Sequence, residues 1–595
     1  GANYQAMIRL RPGVGEAAAV TELRNLSGLL PPRKTVGNDP AWTTRFQMQP
    51  LAMGRSTGLR KPLFLLLNAV VVVLLIGAIN VGGLLLARQS GRAAELATRM
   101  ALGATRAQVF REVLLDSVVL IALGGLLSGP AAYGALRGLQ WANGRLFSQV
   151  EQAAIDGRAL LAAMGCTIAA GLLAGLLPAW QSVQLQNGGR TVAGRKRVVP
   201  LGVLVAGQVA LVAPLLIGAG LLGRTFVSLW TLQAGFDPND LLIARISLQD
   251  ARYETAAKVQ QLFRGGLEKM RAIPGVESVA AGLTVPYERQ LNQGVRIGAQ
   301  PVAEERYRST NLVYVTPSFL DTLRVPLLRG RGLADADTET SGKVAVVNDA
   351  FIRRFLDGRD GVGEFIRLGG KDPVQIVGIA GSTAQRNSER GAPLEPDPTV
   401  YIPVSQMTNF ALVHQWFSPA WVVRSTLPPE VLSSQLEEIV RSLDPMMPVS
   451  QFTTPYQLKS SALGVQRLML CLLFVISGLG LLLCALGVYG LVASSVAERT
   501  REIGIRMALG ASVEEVVRKA MRPGLLWAMA GLMAGVPLVY MGRTLMTGLI
   551  YGVSAVDPVT YVGIGAVLLV AVAAASLLPA LKLTRLDPAV TLRNE

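Results

Sequence analysis

A chain of 595 residues that is 51% hydrophobic and only 16% charged, with a positive mean hydropathy, lies outside the composition of soluble globular domains and reads as a membrane protein. Its formal charge of +17 does not mark a nucleic-acid binder, because the basic residues flank apolar runs instead of forming one stripe interleaved with aromatics. One histidine, His414, and three cysteines that all fall inside apolar runs, Cys166, Cys471 and Cys484, argue against a zinc or histidine-based catalytic centre.

Residues 1–60 pattern as the end of a domain: Ala6 to Leu10 alternates as a strand does, and Gly15 to Leu30 has the spacing of a helix. Leu63 to Ala87 is the first expected span, longer than the roughly 20 apolar residues a bilayer requires. Asn68 and Asn80 within it are expected to hydrogen-bond between helices. Val109 to Leu136 is the second span, where Gly124, Gly125, Gly129 and Pro130 permit close approach or a bend; Asp116 near its start is placed at a protein interface. Ala159 to Trp180 and Leu201 to Gly223 are the third and fourth.

A soluble α+β insertion then runs from about Arg224 to Gly464. Leu241 to Leu248, Lys343 to Asn348 and Gln375 to Ile379 pattern as strands, Ala256 to Ile273 and Leu432 to Leu443 as helices, and two subdomains are expected. Leu468 to Ala493, Gly524 to Leu545 and Tyr561 to Leu581 complete seven spans. Arginine-rich loops at 88–111, 182–199 and 494–519 orient the bundle with those loops and the carboxyl terminus in the cytoplasm.

The apolar runs are organised around a repeat. Glu498 to Ser512, ERTREIGIRMALGAS, returns in weaker form as Gly91 to Thr105, GRAAELATRMALGAT; Pro130 and Tyr133 match Pro537 and Tyr540, and Leu-Leu-Pro-Ala at 176–179 returns at 577–580. Each copy stands between two apolar runs. Glu502 precedes Arg506 by four residues and Glu95 precedes Arg99 by four, the favourable order for a pair on one helix face, while Gly510 and Gly103 stand where a helix would stop. A single charged segment of this kind is equally an ordinary cytoplasmic loop; two copies point to a duplicated device. No nucleotide or hydrolase motif accompanies it. Ser341-Gly342-Lys343-Val344 lacks the leading glycine of a phosphate loop and the Ser or Thr after Lys, and is expected to be a turn before a strand. Few ionisable groups fall at membrane depth, which argues against a proton- or sodium-coupled carrier.

Ala497 to Ser512 resembles the signature of the MacB/FtsX-type ABC transporter permeases. The segments Val315 to Leu323, Gly330-Arg331, Val344 to Asn348, Leu578-Pro579-Ala580, Asp587-Pro588 and Leu592-Arg593 are also similar to that family. The layout is similar to the duplicated, acidobacterial-type permeases that lack an ATPase domain. The resemblance implies a membrane α-helical bundle of two MacB-like units, the first incomplete, with a large α+β periplasmic domain. Its parts would be the end of a first periplasmic domain (1–60), a three-helix FtsX-like unit (61–182), a cytoplasmic linker (183–200), a helix opening the second unit (201–223), a MacB-like domain (224–463) and a second FtsX-like unit (464–595). A preceding membrane helix and most of a first soluble domain would then lie outside this chain.

By the same resemblance, Glu498, Arg499, Arg501, Glu502, Arg506 and Gly510 form a coupling helix that docks on a cytoplasmic ATPase, and Arg92, Glu95, Arg99 and Gly103 form its counterpart. Gly91, Ala94 and Ala97 replace Glu498, Arg501 and Gly504, so the two copies need not grip equally. The chain is then no enzyme and holds no cofactor itself, ATP and Mg2+ belonging to separate ABC ATPase subunits. It would sit in the bacterial inner membrane, with a periplasmic adaptor or other periplasmic protein as a further expected partner, and duplication favours a pseudo-dimer over a homodimer. Efflux of a small molecule or peptide by mechanotransmission, lipoprotein or lipid handling, and an FtsX-like scaffold controlling a periplasmic hydrolase all stay open.

Overall fold

The computed structural model describes residues 9–11, 13–29, 60–91, 106–143, 154–184, 198–248, 251–298, 308–368, 372–386, 393–408, 419–498, 505, 512–546 and 548–581. The chain forms two compact units, Gly58–Trp230 with Gly464–Glu595, and Gly1–Thr57 with Thr231–Leu463. In the second of these, Glu16–Leu29 is helix α1.

The first unit is helical: α2 (Arg60–Gly91), α3 (Arg106–Asn143), α4 (Gly157–Gln184), α5 (Val198–Thr231), α11 (Gly464–Glu498), α12 (Val513–Met546) and α13 (Pro558–Leu581). Apolar composition over such lengths leaves little amphipathic period in any of them but α12, as in helices surrounded by lipid and by one another. Among the described residues six helices are long and apolar enough to cross a membrane, at Pro62–Leu86, Gly157–Gly175, Gly202–Thr231, Gly464–Ala497, Glu514–Thr544 and Pro558–Leu581. The remaining expected span, Val109 to Leu136, falls within α3 but is not among the six.

Packing repeats with the sequence. In the first copy α2 and α3 both lie against α4; in the second, α11 and α12 both lie against α13. The copies meet where α2 packs on α11. The helix α5 lies close to α12 because Gly531 and Gly535 face Ala206, Ala210 and Ala213, where any added side chain would overlap the facing residues. Asn80 donates to the Leu483 carbonyl at 2.7 Å and accepts from Gln208 Nε2 at 2.9 Å, tying α2, α5 and α11 together. Asn68 does not bridge helices: it is exposed and donates to Phe64 O in its own helix at 2.7 Å. Of the cysteines, Cys484 is buried, whereas Cys166 and Cys471 face outward, so only one serves as a core residue.

The other unit is α+β. Strands β1 (Leu241–Arg245), β2 (Val276–Gly282), β12 (Ala420–Ser425) and β13 (Gln451–Thr453), with helices α6 (Ala256–Arg271) and α9 (Pro429–Leu443), form two interleaved split β-α-β units in the order β2-β12-β1-β13, a ferredoxin-like arrangement. Periodicity explains both helices. Val259, Phe263, Gly266 and Met270 bury one face of α6, and Leu432, Leu436 and Val440 bury one face of α9. Gly266 lies directly under Trp421, whose ring meets Phe263 edge-on at 6.0 Å.

Between β2 and β12 the chain inserts β3 (Leu291–Ile297), β4 (Arg308–Val315), β5 (Leu327–Gly330), β6 (Val344–Asn348), β7 (Phe365–Leu368), β8 (Val374–Ala380), the short pair β9 (Ala384–Gln385) and β10 (Glu395–Pro396), and β11 (Thr399–Pro403). Helices α7 (Phe319–Thr322) and α8 (Asp349–Phe355) interrupt this run, and α10 (Pro455–Ala462) follows β13. The strands β11-β6-β8-β7-β3-β4 close into a ring because β11 also pairs, in parallel, with β4. A single register pair, Gly282 with Val315, joins this ring to the ferredoxin-like sheet. One apolar core nevertheless runs through both, so the two expected subdomains are parts of one packed body. Ser341 to Lys343 is the turn before β6, with Lys343 paired to Asp372 at 2.6 Å.

Candidate functional site

The two copies of the repeat occupy equivalent places between helices. Gly91 ends α2 and Arg106 begins α3; Glu498 ends α11 and Val513 begins α12. Of the expected coupling residues, Glu498 is the last residue of α11, and its side chain lies outside the described residues. Arg92, Glu95, Arg99, Gly103, Arg499, Arg501, Glu502, Arg506 and Gly510 also lie outside them. Ile505 is helical and 43% exposed. Ser512 closes the second copy by capping α12: its Oγ accepts the Glu515 N–H at 3.3 Å, and Glu514 and Glu515 fill the first turn, where carboxylates favour a helix amino end.

The pairing of α2 with α11 fixes where these segments leave the bundle. A Cβ at Gly480 would meet Val73, one at Gly487 would overlap Asn80, and one at Gly490 would reach Leu84. Val73 with Gly480 and Asn80 with Gly487 stand at the same offset that superposes Met100 on Met507. Equivalent residues therefore touch, as across a twofold axis, and the contacts advance together along both helices, so the helices are parallel. Gly91 and Glu498 consequently end at the same end of the pair, and both repeat segments depart from there.

At the other end of α5 the chain enters the soluble unit through residues held from two sides. Gly235 adopts φ +74° and lies so close to the Ser382 carbonyl that a side chain could not be accommodated, while Ala384 N–H donates to Ala234 O at 2.9 Å. Arg424 of β12 is 1% exposed and donates to Thr322 O at 3.0 Å, Asn239 O at 2.7 Å and Asp237 O at 2.9 Å. Its Nη1 also reaches the Asp237 carboxylate at 3.3 Å, which Arg324 binds at 2.8 Å. Burial works against the charge on Asp237, but the Asn239 N–H, Arg324 and Arg424 hold the carboxyl below its ordinary value. The linker 232–240 is thus fastened onto its own domain. The sequence carries one signal of this role, a lone arginine directly after the apolar run Trp421-Val422-Val423.

Two homologous helical units paired in parallel, interrupted by one α+β domain, define a duplicated membrane protein. A family model described as the MacB-like periplasmic core domain matches residues 201–443, and one described as the FtsX-like permease C-terminal matches residues 68–186 and again 474–588. The chain belongs to the MacB/FtsX-type ABC transporter permease family. It is 27% identical over 356 residues to the macrolide export ATP-binding/permease protein MacB of Hahella chejuensis, covering 58% of this chain and 50% of that one. It is 28% identical over 282 residues to the pyoverdine export ATP-binding/permease protein PvdT of Pseudomonas savastanoi pv. phaseolicola, covering 45% and 40%. The chain thus spans half or less of the length of these relatives. The solved periplasmic region of MacB from Actinobacillus actinomycetemcomitans aligns with 39% of this chain and 96% of its own, at 14% identity and a TM-score of 0.28.

Proposed function

We propose that the chain is the membrane subunit of an ABC transporter that moves an amphipathic cargo by mechanotransmission. The observation that carries this reading is the parallel, equivalent-residue pairing of α2 with α11, which sends both repeat segments out of one end of the bundle. A separate cytoplasmic ATPase, holding ATP and Mg2+, docks there on Glu95 and Arg99 of one copy and Glu502 and Arg506 of the other. Its closure pushes on α2 and α11. Because spanning helices satisfy their backbone bonds internally, they transmit displacement as stiff rods. The linker 232–240, fastened by Arg424 and Gly235, delivers it to the periplasmic domain. On this reading the protein is a pseudo-dimer of seven spans in the bacterial inner membrane, with its carboxyl terminus in the cytoplasm. The relatives above carry export in their names, which favours outward movement here.

The experiment purifies the native complex through this chain, identifies the co-purifying ATPase, and reconstitutes both in proteoliposomes. Arg506→Glu lowers the stimulation of ATP hydrolysis by this chain at least tenfold while leaving its melting temperature unchanged. Full stimulation by the Arg99→Glu, Arg506→Glu double variant would overturn the docking assignment.

A further inference from the structure

The soluble unit holds a cavity of about 370 Å3 between the linker 232–238, Tyr287, and the start of α10 at Pro455, Tyr456 and Lys459. Its walls are mainly apolar and aromatic: Leu232, Phe236, Pro238 and Pro455 line it, and the Phe236 and Tyr287 rings meet at 5.4 Å. Lys459 is the one ionised group among the described lining residues. Its ammonium donates to Leu232 O at 3.2 Å and lies 5.9 Å from the Tyr287 ring centroid. Tyr456 donates its hydroxyl to Asn239 Oδ1 at 3.0 Å.

Tyr287 takes φ +68°, a left-handed conformation that costs a non-glycine residue energy, and its N–H is held by Ala384 O at 3.0 Å. Such strain gathers where side chains are aimed at ligands. Burial pushes the Tyr287 phenol up to about 12, so it stays a neutral donor at pH 7. Burial likewise draws the Lys459 ammonium below its ordinary value. The space is within the range used by small-molecule sites.

The geometry points to a binding site for a small acidic amphiphile, its carboxylate or phosphate head on Lys459 and Tyr287 and its apolar body against Leu232, Phe236 and the two prolines. Residues 232–238 directly follow the apolar helix α5 and residues 455–459 closely precede the apolar helix α11, so an occupant would bridge the segments that lead out of and back into the lipid. The site names a cargo or effector class for the proposed transporter, but its binding is measured without ATP or an ATPase, so its failure and a failure of coupling are told apart.

The test is equilibrium dialysis of radiolabelled decanoate against the full chain in phosphatidylcholine nanodiscs. Binding saturates at one decanoate per chain. Lys459→Met weakens it at least tenfold, Lys459→Arg keeps it within threefold, and decanol, the same chain without the charge, binds at least tenfold more weakly than decanoate. Leu232→Trp, which fills the cavity and leaves the charge, also abolishes binding, and melting temperatures report that the variants are folded. A membrane lipid and a free acid offer the same head chemistry. If adding phosphatidylglycerol to the nanodisc competes decanoate out, the bilayer is the source; if it does not, the free acid is. Either result keeps the site. Binding of decanoate to Lys459→Met as tight as to the wild type, or of decanol as tight as decanoate, would overturn it.

Discussion

Arg424 carries a charge to 1% exposure and is kept there by three backbone carbonyls and a carboxylate. Arg424→Met keeps much of the volume but strands those acceptors, and is expected to destabilise the soluble unit by about 3 kcal/mol. Denaturant unfolding of the full chain in detergent, followed by tryptophan fluorescence, would read this as a lower midpoint; no shift would remove Arg424 from its role as a clamp. Arg331 and Asp337 give a different test. Two hydrogen bonds of 2.8 and 2.9 Å from Arg331 hold the Asp337 carboxyl below the usual value of 3.8, with burial opposing and the Ala334 N–H assisting. Because the folded-state value is the lower one, the stabilisation is present above 3.8 and is lost as pH falls through the folded value. The unfolding midpoint of the wild type should therefore drop between pH 5 and about pH 2 more steeply than that of Asp337→Asn. Parallel curves would show that the pair contributes nothing to acid sensitivity.

At the scale of elements, the helix pair makes the sharpest prediction. In a background with Cys166, Cys471 and Cys484 replaced, Val73→Cys with Gly480→Cys should oxidise to an intrachain disulfide, because a Cβ at Gly480 lies 3.8 Å from Val73 Cγ2. Mass spectrometry after proteolysis detects the linked peptides; their absence under oxidising conditions would argue against in-register packing. Much of the helical frame was legible in the sequence, because long apolar runs have few alternatives and the two copies share Arg-Met-Ala-Leu-Gly-Ala. The soluble domain was legible only in pieces. Val344–Asn348 and Val374–Ala380 announce themselves by β-branched residues, but nothing local shows that Thr399–Pro403 pairs in parallel with β4 and closes a ring. Such pairing joins distant segments and is decided by the shared core, not by neighbours in the chain. The site divides the same way: the repeat was visible as a repeat, whereas the cavity at Lys459 is assembled from three separate stretches.

For the whole molecule, duplication within one polypeptide places two related but unequal halves about a common axis. Asn80 and Gly487 occupy equivalent positions there, and Asn80 fills the space next to Gly487 while bonding Gln208 and Leu483. Replacing Gly487 by Asn should force the helices apart and cost roughly 1–3 kcal/mol, seen as a lower melting temperature in detergent. An unchanged melting temperature would mean that the seam is slack. Two identical chains could not build this junction: a pair of asparagines would collide and a pair of glycines would leave a void. Fusion of the halves into one gene frees each flank to mutate independently, so the seam can become handed, with a knob on one side and a socket on the other. Across such a seam the two halves can no longer be exchanged.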